Sequence, residues 1–253
     1  MGSNNVGEHQ YYEKIAKEHN NIQAVMHSPI LLARYRDFLE RIVLKRYLES
    51  GNKSVLDIGC GNGRFFELFS SRGYNVTGVD FSKNLINQAK KRYPWAKAIV
   101  TKSEGLPFKD NSFDYVFLLL LLSHTDYNSF KKTIREAGRV VKNSGKIFIL
   151  DEPETYGSVW DKEKLNSEFK NHEIKLVNSK FVRMDTASRI FSSFSPKKSI
   201  VQINREKLPE IKSNNIKSLV RIAFDMVFDL PLIILRVGKV GFEQLLIYKK
   251  SAK

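Results

Sequence analysis

The chain has 253 residues, of which 42% are hydrophobic and 27% charged. That balance suits one α/β domain with additions and excludes a disordered polymer. Its single cysteine, Cys60, excludes an intramolecular disulfide framework and a cysteine-cluster zinc site. The formal net charge of +15 raises the local concentration of anionic partners such as nucleic acid, anionic lipid or phosphorylated metabolites, and chooses none of them. The excess is partly local: Lys175 to Arg221 holds 11 basic residues against 3 acidic ones.

The first thirty residues are polar and mixed in charge, without the apolar core of a secretory signal, so a cytoplasmic location is expected. Tyr11 to His19 reads as a short amphipathic helix. Ser28-Pro29 pairs a cap residue with proline at the first helical position and predicts a longer one. Its apolar face carries Leu31, Tyr35, Phe38 and Ile42, and it should end near Gly51. From Lys53 the pattern becomes strand, glycine turn, helix. Strands are predicted at Ser54–Ile58, Asn75–Val79, Ala98–Thr101, Phe113–Leu122 and Lys146–Leu150. The intervening helices begin near Phe65, at a Ser82 cap, and at Asp126, the last closed by Asn143-Ser144-Gly145. Phe242 to Lys250 should return as a final antiparallel edge strand.

Almost continuously apolar strands alternating with helices imply a mostly parallel sheet covered on both faces. Ligands of such sheets bind beyond the carboxyl ends of the strands. Those ends carry Asp57–Gly63, Asp80, Lys102–Glu104, Ser123-His124 and Asp151-Glu152.

The most informative stretch is Val55-Leu56-Asp57-Ile58-Gly59-Cys60-Gly61-Asn62-Gly63. Glycine allows a tight turn and lets a ligand approach the backbone. A dinucleotide fold needs G-x-G-x-x-G/A beside a pyrophosphate. Here the glycines fall as G-x-G-x-G, with Arg64 where the dinucleotide pattern needs Gly or Ala. The acid before the turn, Asp57, suits a cationic amino group better than a pyrophosphate. Asp80, at the end of the second strand, suits a diol, because a carboxylate can accept two hydrogen bonds. Cys60, inside the turn, reads as a small packing residue.

This stretch resembles the first motif of class I S-adenosylmethionine (SAM)-dependent methyltransferases, and the resemblance continues through much of residues 53–150. Val76-Thr77-Gly78-Val79-Asp80 is similar to the family's second motif, Leu106–Asp114 to the loop and strand after the adenine pocket, and Val140–Gly145 to the turn before the fifth strand. Two departures stand out. The turn reads Val-Lys-Asn-Ser-Gly, without the usual proline. Lys102 stands where relatives often place an acid facing the adenine amino group, which leaves Ser103 and Glu104 for that contact. The resemblance implies a Rossmann-like α/β fold and SAM as cofactor. It implies cofactor contacts from Asp57, Gly59, Cys60, Gly61, Gly63, Asp80, Phe81, Ser103 and Glu104. It also implies an N-terminal aromatic cover in which Tyr12, beside Tyr11, folds over the cofactor; both tyrosines also read as ordinary helix packing.

Methyl transfer from a sulfonium releases a neutral leaving group, so alignment and exclusion of water dominate, and a base is needed most for a hydroxyl or an acidic carbon. His124 and Glu152 are the candidate bases, each also readable as a loop residue, as is Asp151. Residues 1–51 are expected to form a helical cover, 52–151 the SAM-binding core, and 152–253 a substrate-side elaboration. No His/Asp/Glu cluster has metal-ligand spacing. Leu219 to Val240 is strongly apolar, with Arg221, Asp225 and Asp229 on one stripe and a break at Pro231. It reads as a helix packed on the sheet, or as a lid or membrane-surface helix admitting a lipid-like acceptor. The expected activity is methyl transfer to a small, hydrophobic or lipid-like acceptor, similar to the ubiquinone/menaquinone C-methyltransferase group. Association with an anionic membrane surface would fit that acceptor. The alternatives are a tRNA methyltransferase, for which no RNA-binding module is visible, and a SAM-binding regulatory protein without catalysis.

Overall fold

The computed structural model describes residues 4–26, 30–152, 160–183, 223 and 243–252. In chain order the helices and strands are α1 (Asn4–Glu18), α2 (Ile30–Lys45), β1 (Ser54–Ile58), α3 (Phe66–Ser70), β2 (Asn75–Asp80), α4 (Lys83–Arg92), β3 (Lys97–Val100), β4 (Phe113–Leu119), α5 (Tyr127–Val140), β5 (Val141–Asp151), α6 (Lys162–Lys170), β6 (Ile174–Arg183) and β7 (Glu243–Lys250). Short 3-10 turns lie at Ile22–Ala24 and Leu122–His124.

The strands form one seven-stranded sheet in the order β3-β2-β1-β4-β5-β7-β6. β1 through β5 pair in parallel, and only β7 is reversed. This is the expected Rossmann-like α/β fold with helices on both faces. The reversed strand lies one place in from the edge, with β6 outside it. That position follows from hydrogen bonding: β7 satisfies the open sides of both β5 and β6, which no helix could do.

Apolar side chains alternate to the two faces of each strand and build two cores. On one face Phe117 of β4 stacks between Phe69 (4.2 Å between centroids) and Phe148 (4.8 Å), beneath Leu39 and Val43 of α2. On the other, Leu56, Val116 and Ile147 meet Phe130 and Ile134 of α5, with Phe169 of α6 in the same cluster. Ser82 caps α4 as expected, its side chain accepting from Leu85 N. Asp126 does the same for α5 through Ser129 N.

Three local expectations are corrected. β4 stops at Leu119 rather than Leu122, because Leu120 turns to φ +55° and leaves the strand direction. The stretch expected to close α5 lies inside β5: Val141 already pairs with Phe113, and an irregularity before the Tyr115–Lys146 pair absorbs Ser144 at φ +61°. On α2, Tyr35, Leu39 and Val43 are buried, but Phe38 is 49% exposed and the helix ends at Lys45, short of Gly51.

The apolar stretch 219–240 (Ala223 apart) and most of the basic region to Arg221 lie outside the described residues. Among the described residues, no helix is long and apolar enough to cross a membrane.

Candidate active site

The central strand β1 runs straight into the glycine turn, and its neighbours β2 and β4 end level with it: Asp57 sits opposite Gly78 on one side and Phe117 on the other. The carboxyl ends of these strands therefore surround one cleft. It is lined by Asp57 near the end of β1, Gly59, Cys60 and Gly61 from the turn, Asp80 and Phe81 at the end of β2, and Thr101–Glu104 from the loop after β3. Leu119–Leu121, His124, Thr125 and Ser129 line the far side, and Tyr12 and Val25 cover it from the N-terminal segment.

The turn is held by its own backbone and by one acid. Gly59 N and Cys60 N both donate to Val79 O, at 2.8 and 3.0 Å. Asp80 accepts from Gly61 N at 2.9 Å through one oxygen and from Ser82 N at 2.8 Å through the other. Conformation and space both favour glycine at the turn positions that line the cleft. Gly59 has φ +75°, and a Cβ there would stand 2.8 Å from Leu121 Cδ1. Gly61 has φ +54°, and a Cβ there would meet Val25 Cγ1 at 2.6 Å. The side chain of Val25, in the N-terminal segment, therefore packs directly on the glycine turn.

Asp57 is the unusual group. It is 1% exposed, and neither carboxylate oxygen has a hydrogen-bond partner among the described residues. Burial pushes its carboxyl up to about 8, with the charge of Arg64 pulling it down and that of Asp80 pushing it further up. A buried carboxylate without donors is costly to keep. Here it faces a cleft, so a cationic donor bound there would satisfy it. Asp80 is raised to about 6 by burial, against the Ser82 and Gly61 N–H groups that lower it. Each of its oxygens retains a lone pair for a further donor. Burial also pushes the Cys60 thiol well up, which fits the packing role read for it and not a nucleophile.

The remaining expected residues divide. Tyr12 stands edge-on to Phe81 (6.1 Å between centroids) and to His124 (5.9 Å), so α1, the end of β2 and the Leu122–His124 turn meet at the cleft. Ser103 and Glu104 line the cleft, Ser103 hydrogen-bonded to Thr133 at 2.7 Å. Gly63 lies in the turn at φ +76° but not in the cleft wall. Glu152 lies outside the lining residues and forms an ion pair with Arg36 at 2.8 Å. Asp151 is fully buried and is not a solvated loop acid. It accepts from Leu122 N (2.7 Å), Ser123 N (3.2 Å) and Glu152 N (2.8 Å), tying the turn that carries His124 to the end of β5.

Arg64 was legible only as a break in the dinucleotide pattern. In the structure it is buried, lies over the Phe65 ring at 4.1 Å, and is paired with Asp37 and Glu40 of α2. The spacing of Asp37, Glu40 and Arg41 on one helical face is the sequence signal that could have paired α2 with it.

A parallel sheet with one reversed strand, a glycine turn after β1, an acid before it and another at the end of β2 are the features expected from the resemblance to class I methyltransferases. Residues 56–149 match the family described as a methyltransferase domain. The chain is 32% identical over 141 residues to the malonyl-[acyl-carrier protein] O-methyltransferase of Buchnera aphidicola, covering 54% of this chain and 56% of that one. It is 35% identical over 97 residues to the demethylmenaquinone methyltransferase of Renibacterium salmoninarum, covering 38% and 40%. A crystal structure of a SAM-dependent methyltransferase from Archaeoglobus fulgidus superposes with a TM-score of 0.56 at 20% identity, over 85% of this chain and 94% of that one. The chain spans between 45% and 66% of the length of the first curated relatives it matches. Over residues 56–149 the chain is therefore similar to a methyltransferase domain, and its fold is shared with SAM-dependent methyltransferases, whose cofactor is SAM. The residues present fit that cofactor: the unpartnered buried Asp57 suits its ammonium, and Asp80 its ribose hydroxyls.

Proposed function

We propose that the protein transfers a methyl group from SAM to a small, hydrophobic or lipid-like acceptor. The observation that carries the cofactor half is Asp57: a buried carboxylate, facing the cleft, with both oxygens lacking donors. SAM, when bound, supplies an electrophilic methyl group. The chain supplies position. Asp57 accepts from the ammonium of the amino-acid tail and Asp80 from the ribose hydroxyls. Ser103 and Glu104 face the base, and Tyr12 with Phe81 excludes water from above.

On the acceptor side, Leu119, Leu120, Leu121 and Phe65 make the cleft wall apolar, which favours an acceptor with apolar surface. His124, on the same side, is the group placed to orient an acceptor or take its proton. Two relatives carry names that specify a quinone and a carrier-bound acyl acceptor, and the apolar wall is compatible with the first. The test is incorporation of labelled methyl from SAM into fractionated lipid, small-molecule, RNA and protein extracts. Label in the lipid or apolar small-molecule fraction is expected. Label confined to RNA would move the assignment to a tRNA methyltransferase. SAM binding with no transfer to any fraction would leave a SAM-binding regulatory protein.

A further inference from the structure

A buried ionic cluster joins the N-terminal cover to the cofactor turn. Arg64 follows the last glycine of the turn. One Nη donates to Asp37 Oδ1 at 3.1 Å, the other to Glu40 Oε2, and Met26 Sδ lies 3.3 Å from the first. Phe65 supports the guanidinium plane from below at 4.1 Å. Arg41 joins from the same helix, bonding Asp37 at 2.6 Å and the Arg64 carbonyl. Glu40 is fully buried, and its second oxygen has no hydrogen-bond partner among the described residues. Such a group is hard to explain as a stabilising contact, since a buried ion pair recovers little of its desolvation cost.

Arg64 also lines the cleft together with Asp57, and its charge acts on that carboxylate. Yet Arg64 makes no hydrogen bond to Asp57, whose oxygens both lack partners. Two carboxylates on α2 occupy the guanidinium that would otherwise neutralise the third. Resting on the cofactor assignment above, we infer that Glu40, with Asp37, is a positioning residue for the cofactor's amino-acid tail: it holds Arg64 off Asp57, so that the Asp57 oxygens stay available to the ammonium. The cover thus sets cofactor affinity from outside the cleft. Loss of the Glu40 charge lets Arg64 turn to the next carboxylate, Asp57, and compete with the ligand there.

Calorimetry on the full chain with two probes tests this: S-adenosylhomocysteine, which has the ammonium, and 5′-methylthioadenosine, which has the same nucleoside and no amino-acid tail. Glu40→Gln should weaken S-adenosylhomocysteine by about tenfold or more, the worth of a charge-assisted hydrogen bond. It should leave 5′-methylthioadenosine within about twofold of wild type. Asp37→Asn, at a less buried position, should act in the same direction and serves if Glu40→Gln does not fold. Equal loss of both probes would mean the cluster merely holds the cleft together and would overturn the inference. So would unchanged S-adenosylhomocysteine affinity in both folded variants. A wild-type protein that binds neither probe would overturn the cofactor assignment itself, a result distinct from either.

Discussion

Cofactor affinity should rise with pH across the neutral range. Asp57 ordinarily titrates near 3.8, and burial lifts it to about 8 against the pull of Arg64 and with the push of Asp80; the Cys60 thiol beside it stays protonated throughout. The ammonium of the ligand needs the ionised carboxylate. At pH 6 that form makes up about 1% of the free protein, and at pH 7 about 10%, so affinity should rise about tenfold over that unit. Asp80, raised to about 6, adds about a further factor of two. The stability of the free protein has the opposite sign. The native state holds a proton on Asp57 that the unfolded chain has already released above its ordinary value, so this group's contribution to stability falls as pH rises towards 8. Calorimetric titration with S-adenosylhomocysteine at pH 6.0, 6.5 and 7.0 would measure the slope. Thermal melts with and without ligand should show a larger ligand-induced rise in Tm at the higher pH. An Asp57→Asn protein should bind weakly with a flatter profile. Wild-type affinity that is flat between pH 6 and 7 would refute the reasoning, because Asp57 would then be ionised already or the ammonium bound elsewhere.

Asp80→Ala should cost S-adenosylhomocysteine affinity about tenfold to a hundredfold, from the loss of charge-assisted hydrogen bonds. It should also lower Tm, since Gly61 N and Ser82 N lose their acceptor. Gly61→Ala should destabilise by about 1–3 kcal/mol, because it forces a side chain into φ +54° and against Val25. Adding Val25→Ala should restore the part due to the clash and not the part due to φ, as read by urea denaturation. Asp151→Asn should reduce methyl transfer far more than S-adenosylhomocysteine affinity, because it loosens the turn bearing His124 and leaves the glycine turn untouched. Equal losses in turnover and binding would remove that turn from the acceptor side.

What could be read from the sequence was local. Gly59, Gly61, Asp57, Asp80 and the Ser82 cap fall within one strand–turn–helix unit or at its neighbour's end, where spacing alone dictates geometry. β1 was placed residue for residue, and β2 to within its final acid. The missing parts join residues far apart in the chain. Val25 against Gly61, Arg64 against Asp37 and Glu40, and Arg36 against Glu152 depend on where the cover lands. No periodicity reports that. Phe38 shows the limit of helical pattern: it keeps the apolar spacing of α2, yet that side of the helix is not the one on the sheet. Asp151 shows another: an acid at a strand end can be a ligand, a base or a backbone anchor, and only its three N–H donors decide.

The placing of β7 bears on how the chain assembles during synthesis. β5 and β6 are made first but do not touch as neighbours in the sheet, since β7 must enter between them, pairing Lys146–Asp151 on one side and Ile174–Arg183 on the other. A nascent chain halted before Glu243 would therefore carry β5 with one bare strand edge and β6 with no strand to join. Bare edges of this kind recruit other chains, and pairings between distant segments form slowly. The parallel half of the sheet, with the whole glycine turn, can form while translation continues. Closure of the sheet is postponed until the segment from Glu243 to Lys250 has left the ribosome.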